Sequence, residues 1–352
     1  LVCLNMKSSA STMEKRALFP LPKVFEEKTG RMNSDIFKHI DFYLNDRMGF
    51  RERLIQLYSY LKYGLLHKVG NDRAIFGKKE WLFYIQKSDG DNLSDFLKSN
   101  LADEQTVIKF ANQIKNRAQW CEKNHIAFLF FIAPNKHNIY PEYYPIERPS
   151  GITRTDQFLN YLDKHNIAYL FPRDVLISQK NSNAVLYEET GSHWNLLGAY
   201  HAFGLLSAEL HKKYPKTKFP DIEYKVHTQT VSGGSDIAPL LGLESFGKNT
   251  IVHFTPKGKN WTDLFTYIKN EGPRGVLTKG PNPSLPTAVI FRDSFFEVMV
   301  PFTSTLFSQA DYRWKMFDEA DKPSILANKP DIIIWEVCER YMHLVPISEW
   351  TN

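Results

Sequence analysis

The chain has 352 residues, 43% of them hydrophobic, enough for a sizeable core in one large domain or two modest ones. Its 44 basic and 39 acidic residues leave a formal charge of +5, too mild to argue for nucleic acid but tolerant of an anionic polysaccharide. Cys3, Cys121 and Cys338 are odd in number and lack CxxC or metal-ligand spacing, which excludes a disulfide scaffold.

Residues 1–33 are polar and mixed, with Pro20 and Pro22, and read as an N-terminal lead-in. From Ser34 to residue 352 the pattern reads as one domain. Ser34 and Asp35 can cap a helix in which Ile36, Ile40, Tyr43 and Leu44 recur at helical spacing. After a break at Met48-Gly49, Leu54, Leu57, Tyr58, Leu61 and Leu65 form the stripe of a second helix. That helix is rich in Arg and Lys, and a solvated face beside a core stripe explains it better than a membrane-surface role. Ala74-Ile75-Phe76 and Trp81-Leu82-Phe83-Tyr84 flank Gly77-Lys78-Lys79 as a hairpin.

A long helix over 103–123 leads through Asn124-His125 into a strand from Ile126 to Ile132. The apolar run from Ile126 to Ala133 is the longest in the chain, well short of the roughly 20 residues of a membrane helix. The same grammar repeats: a helix over 156–164, then His165-Asn166, then an expected strand from Ile167 to Phe171. Two such units indicate a parallel α/β sheet. A helix follows His193, with Leu196, Tyr200, Phe203, Leu206 and Leu210 on its expected buried side. Residues 220–285 are richer in Gly, Pro and Thr and read as an irregular or small β insertion. Strands return at 287–291 and 331–337, the first followed by a helix near Ser294. Fully apolar strands alternating with helices predict a doubly wound sheet.

Two segments carry chemistry. The strand Ala288 to Phe291 runs through Arg292-Asp293 into Ser294 and a helix, the place where open α/β sheets bind ligands. Free N–H groups of a first helical turn can also stabilise an oxyanion. Read alone, the segment favours a plain helix N-cap at Asp293 or Ser294. The second segment is Tyr187 to Asn195, where His193 sits at a turn before a helix. Histidine is the usual base for a serine nucleophile, although a single histidine at such a turn is more often structural.

Together, and in this order, the segments resemble the SGNH-hydrolase-like O-acetyltransferases of bacterial polysaccharide modification, a group that includes periplasmic alginate O-acetyltransferases. There a His-Trp segment comes first, and a strand leading into Asp-Ser follows about a hundred residues later. That order is permuted relative to ordinary SGNH hydrolases. Further segments match in order: Asn45 to Arg51, Gly77 to Tyr84, and Pro134-Asn135-Lys136 with Ile139-Tyr140-Pro141. Ser232 to Leu243, including Asp236, and Lys329-Pro330-Asp331 with Glu336, Glu339 and Arg340 complete the set.

The resemblance implies an SGNH-hydrolase-like, flavodoxin-like fold, a parallel sheet flanked by helices. It implies transfer of an acetyl group through Ser294, with His193 as base, to hydroxyls of an exported polysaccharide. A membrane acyltransferase partner would deliver the acetyl group. Placement would be periplasmic or extracytoplasmic, with a leader or anchor removed ahead of Leu1. Asp293 and Glu189 join the catalytic set. Asn135, Lys136, Arg292, Trp194, Asp236 and Arg340 form the substrate or oxyanion set, with backbone N–H groups near Ser294 and Phe295. The family usually has Asp two residues before the histidine, where this chain has Gly191. Three readings stand: Glu188, Glu189 or Asp236 replaces the acid, a Ser-His dyad suffices, or the domain is catalytically impaired and binds polysaccharide. Water as acceptor would make the same site an esterase. No phosphate-binding Gly-rich loop and no His/Cys cluster is present, so no metal or nucleotide cofactor is implied.

Overall fold

Strands that are apolar on both faces have no side to show to water, so they fold into the middle of a sheet covered on both sides. A computed structural model of the chain describes residues 9–11, 16–25, 30–48, 53–54, 57–58, 61, 71–180, 184–271, 275–345 and 350. Its N-terminal half contains helix α1 (Ile36–Arg47), strands β1 (Ala74–Phe76) and β2 (Leu82–Tyr84), helix α2 (Glu104–Lys123), strand β3 (Ala127–Ala133) and helix α3 (Arg154–Lys164). Helix α4 (Leu196–Lys213) precedes the hairpin of β4 (Tyr224–Ser232) and β5 (Lys248–Pro256). Strands β6 (Thr266–Asn270), β7 (Val276–Lys279), β8 (Thr287–Arg292), β9 (Gln309–Trp314) and β10 (Ile332–Cys338) follow.

The main sheet has the order β3-β10-β8-β9-β7-β6. Strands β3, β10, β8 and β9 run parallel, whereas β7 and β6 add to the edge antiparallel. The expected parallel sheet is therefore mixed. Residues 266–279 belong to it, although they fall inside the segment read as an insertion. A short connection can only return a strand antiparallel, because a parallel neighbour needs a crossover.

Side chains alternate across each strand, so one sheet feeds two cores. Phe131, Ile290 and Ile334 pack against Ala199, Ala202, Leu206 and Leu210 of α4. Phe130, Phe291 and Trp335 face Phe110 and Ile114 of α2 and Phe158 and Leu162 of α3. The buried stripe of α4 thus centres on its alanines, and Leu196, Tyr200 and Phe203 are only half-buried.

Helices α2 and α3 end alike. His125 (φ 59°) and Asn166 (φ 53°) adopt the left-handed conformation. Ile126 N–H then donates to Cys121 O, and Ile167 N–H to Leu162 O, both at 2.9 Å. The first unit continues into β3. In the second, the expected strand shrinks to one bridge at Leu170, whose N–H donates to Phe130 O at 2.8 Å. Pro172, with no N–H to give a ladder, stops it and opens the next helix.

At the N-terminal end α1 buries Ile36, Tyr43 and Arg47, while Ile40 and Leu44 are exposed. Leu54, Leu57, Tyr58 and Leu61 are helical and 52–64% exposed, not the core stripe expected. Leu65, Gly49 to Arg51 and Cys3 lie outside the described residues. Among the described residues no helix is long and apolar enough to cross a membrane.

Candidate active site

Strand β8 delivers Asp293 and Ser294 to the carboxyl edge of the sheet, where a short 3-10 helix, Ser294–Met299, begins. Asp293 is its N-cap: Oδ1 accepts the Phe295 N–H at 2.8 Å, and Oδ2 accepts the Cys338 N–H at 2.7 Å. The Asp293 N–H donates to buried Glu336 at 2.8 Å. Asp293 thus gives both carboxylate oxygens to backbone N–H groups, of the serine turn and of the end of β10, and it is Asp236 that meets the histidine. The Phe295 N–H is likewise taken, whereas the Ser294 N–H has no hydrogen-bond partner among the described residues.

His193 comes from the loop between buried Tyr187 and α4. Glu188 N–H donates to His193 O at 3.0 Å, closing a tight loop, and Asn195 caps α4 through the Leu197 and Gly198 N–H groups. The imidazole lies against the Phe295 ring, 4.7 Å between centroids. His193 Nε2 is 2.8 Å from Ser294 Oγ. Trp194 is fully buried, and its indole N–H donates to Phe295 O at 2.7 Å. It bolts the histidine loop to the serine turn and also lines the cleft beside that loop.

On the far side of the ring, His193 Nδ1 is 3.2 Å from Asp236 Oδ2. Asp236 also accepts the Ser192 N–H at 2.7 Å and the Ser192 hydroxyl at 2.6 Å. Burial would push this carboxyl up, but the hydrogen bond and charge of His193 and both Ser192 bonds outweigh it. The carboxyl is held well below the usual carboxylate range.

Gly191 occupies a closed position. A Cβ there would lie 2.2 Å from Glu188 Oε2 and 2.9 Å from Ser235 Oγ. Glu188 itself hydrogen-bonds Ser235, and burial raises its pKa. Glu189 faces away from the imidazole and accepts the Thr250 N–H at 2.8 Å and hydroxyl at 2.7 Å, bracing β5.

Lys136 is a buried clamp, not a substrate contact. Its ammonium lies 2.7–2.8 Å from the carbonyls of Leu82, Glu188, Glu189 and Gly191. It also sits 4.8 Å from the Trp81 ring centroid. Burial pulls its pKa down to about 7, against the pull of Asp236, Glu189 and Glu188. Arg292 is buried too, paired with Glu297 at 2.6 Å and stacked on Trp314, so it acts within the fold. Arg340 is buried with its guanidinium 5.5 Å from the Phe295 ring centroid, and it contacts Cys338 and Tyr341. Asn135, at the end of β3, gives its N–H to Glu339 at 2.7 Å, and its side-chain Nδ2 is a buried donor without a partner.

The fold thus brings Ser294, His193 and Asp236 into one chain of contacts at the carboxyl edge of the sheet, with Asn135 at the end of β3, on the other side of β10. Ser192 escaped sequence reasoning, and its position beside the histidine was the available signal. Glu336 and Glu339 were noticed only as a matching pattern. A cleft of about 370 Å³ opens beside the histidine loop, walled by Ser235, Thr250, Ile251 and Val298.

Known proteins share this frame. The structure resembles Bacillus cereus PatB1 with a TM-score of 0.57 at 14% identity, over 78% of this chain and 97% of that one. It resembles the O-acetyltransferase domain of Pseudomonas putida AlgJ with a TM-score of 0.52 at 16% identity, over 77% and 92%. At such identities the fold alone is common. In sequence, 160 residues are 24% identical to the probable alginate O-acetylase AlgJ of Pseudomonas aeruginosa. That stretch is 45% of this chain and spans only 38% of the relative's length. Residues 74–255 match the family described as SGNH hydrolase-like domain, acetyltransferase AlgX, a span that holds His193 and Asp236 and stops before Ser294. With just over half of its length inside that match, the chain belongs to the SGNH hydrolase-like AlgX acetyltransferase family.

Proposed function

We propose that the chain is a serine-dependent O-acetyltransferase that acetylates hydroxyls of an exported polysaccharide. The observation that carries this reading is His193 Nε2 at 2.8 Å from Ser294 Oγ, with Asp236 at 3.2 Å on the opposite ring nitrogen. Ser294 Oγ attacks the acetyl carbonyl of the donor while its proton passes to His193 Nε2. Asp236 orients the ring and stabilises the imidazolium. The donor's leaving group departs with the proton from His193, leaving acetyl on Ser294. An acceptor hydroxyl then gives its proton to His193 and attacks the acyl-enzyme, and Ser294 recovers its proton as the acetyl leaves. The Ser294 N–H and the unpartnered Asn135 Nδ2 suit the oxyanion of both steps.

Family membership supports acetyl transfer, and the relative named as a probable alginate O-acetylase supports a polysaccharide acceptor. The acetyl donor is delivered by a membrane acyltransferase partner, and the site works in a periplasmic or extracytoplasmic compartment. The histidine side chain is 25% exposed, so water also reaches it, and ester hydrolysis is the second reading of the same groups.

Treatment with an aryl acetate tests the nucleophile. Intact mass should show one acetyl adduct on the wild type and none on Ser294→Ala. A sulfonyl fluoride should label the same residue. No adduct and no turnover with either reagent would sink the enzyme in favour of polysaccharide binding. Adding an oligosaccharide acceptor separates transfer from hydrolysis, because only transfer yields acetylated sugar.

A further inference from the structure

A second cleft, of about 510 Å³, lies along α4 between that helix, the 219–224 segment and Thr305-Leu306. No step of the reaction above uses it. Positions 200, 204, 207 and 211 of α4 share the face that lines it. Tyr200 and Tyr224 meet at 5.6 Å between ring centroids, and Phe219 packs on His211 at 4.7 Å. The hydroxyls of Tyr200 and Tyr224 and the ring nitrogens of His201 make no hydrogen bond among the described residues. Burial pushes the His201 imidazole pKa down, which favours the neutral ring that both donates and accepts.

Gly204 is the telling residue. Glycine is a poor choice for a helix interior. A close packing contact would account for it, but a Cβ added there meets nothing within 4 Å. What the missing side chain does is deepen the cleft. Aromatic faces, unpaired hydroxyls, a neutral imidazole and the exposed carboxylate of Asp221 together suit a ring that is apolar on its faces and hydroxylated at its rim.

We propose that this cleft is a second carbohydrate subsite, which holds pyranose units of the acceptor chain away from Ser294. The proposal rests on the glycan reading of the catalytic site. Gly204 lies on the order of 13 Å along α4 from Asn195, which caps the helix beside His193. A single sugar at Ser294 does not span that distance, but neighbouring units of one polymer do.

The test uses the full chain carrying Ser294→Ala, so that nothing turns over. Binding of an N-acetylhexosamine hexasaccharide and of a hexuronate hexasaccharide is titrated by saturation-transfer NMR. At least one should bind, and Gly204→Leu, which fills the cleft, should weaken it tenfold or more. Tyr200→Phe/Tyr224→Phe keeps both rings and removes both hydroxyls. It should weaken binding several-fold even if the leucine variant fails to fold. The subsite is overturned if neither sugar binds, or if the folded variants bind as their parent does. Aryl ester turnover of the Ser294-containing chain is read separately, so failure of the catalytic reading and failure of the cleft are told apart.

Discussion

Gly191 and Asp236 account for each other. A Cβ at Gly191, where the family resemblance implies an acid two residues before the histidine, would crowd the Glu188 side chain and the Ser235 hydroxyl and force them to shift, while Asp236 reaches the imidazole from another loop. Asp236→Asn should therefore lower kcat by about 10³–10⁴-fold, the scale expected when a histidine loses its orienting acid. Gly191→Asp should not rescue it, and should destabilise the fold by roughly 1–3 kcal/mol through overpacking. Recovery of turnover in the double variant would refute this account. Asn135→Ala should cost about 10²–10³-fold in kcat with little change in KM if Nδ2 serves the oxyanion. The depressed Asp236 pKa also fixes a pH dependence. Because the folded carboxyl ionises more readily than an ordinary aspartate at 3.8, its stabilising contribution is complete above that value. It drains away as pH falls through the lower folded value. Urea midpoints of wild type and Asp236→Asn should differ near about pH 6 and converge in strong acid.

At the scale of elements, the segments that resembled the family singly turn out to hold one another. The β1–β2 hairpin and Lys136 grip the histidine loop through the Leu82, Glu188, Glu189 and Gly191 carbonyls. Lys136→Met leaves those carbonyls buried without their cation. It should cost on the order of 3 kcal/mol in urea unfolding and reduce ester turnover with it. Full activity in a variant of normal stability would show that the clamp is dispensable. Gly204→Ala should do the opposite and raise stability by about 1 kcal/mol, since α4 gains helix propensity and nothing is crowded. The repeated helix-to-strand grammar was legible from Asn124-His125 and His165-Asn166, because left-handed helix ends are a local property. That only one repeat becomes a full strand followed from Pro172 and from the pairing partner, which local pattern does not reveal. The buried face of α4 was misread for a similar reason. Small alanines let the helix lie close to the sheet, while Tyr200 and Phe203 turn to its flank.

In the whole molecule, a central sheet carries a core on each face and sets three strand ends side by side. Glu336 and Glu339, on and just after β10, bond the backbone after β8 and β3, so the serine turn and the Asn135 turn hang from one strand. Composition and periodicity alone determined that this is an α/β chain with apolar parallel strands. Residue chemistry alone favoured a helix cap at Ser294 and a structural role for His193, and it was the ordered family resemblance that raised the pair to nucleophile and base candidates. Only the tertiary structure brought His193 to Ser294 across 101 positions, and Ser192 to Asp236 across 44. It also set Glu189 against Thr250, Lys136 against four carbonyls and Arg292 against Glu297. The physical reason is that a residue's chemistry is local, but its role depends on which donors, acceptors and walls the packed chain places within about 3 Å of it. The closure of the Gly191 position and the arrival of an acid from a distant loop are packing outcomes of that kind.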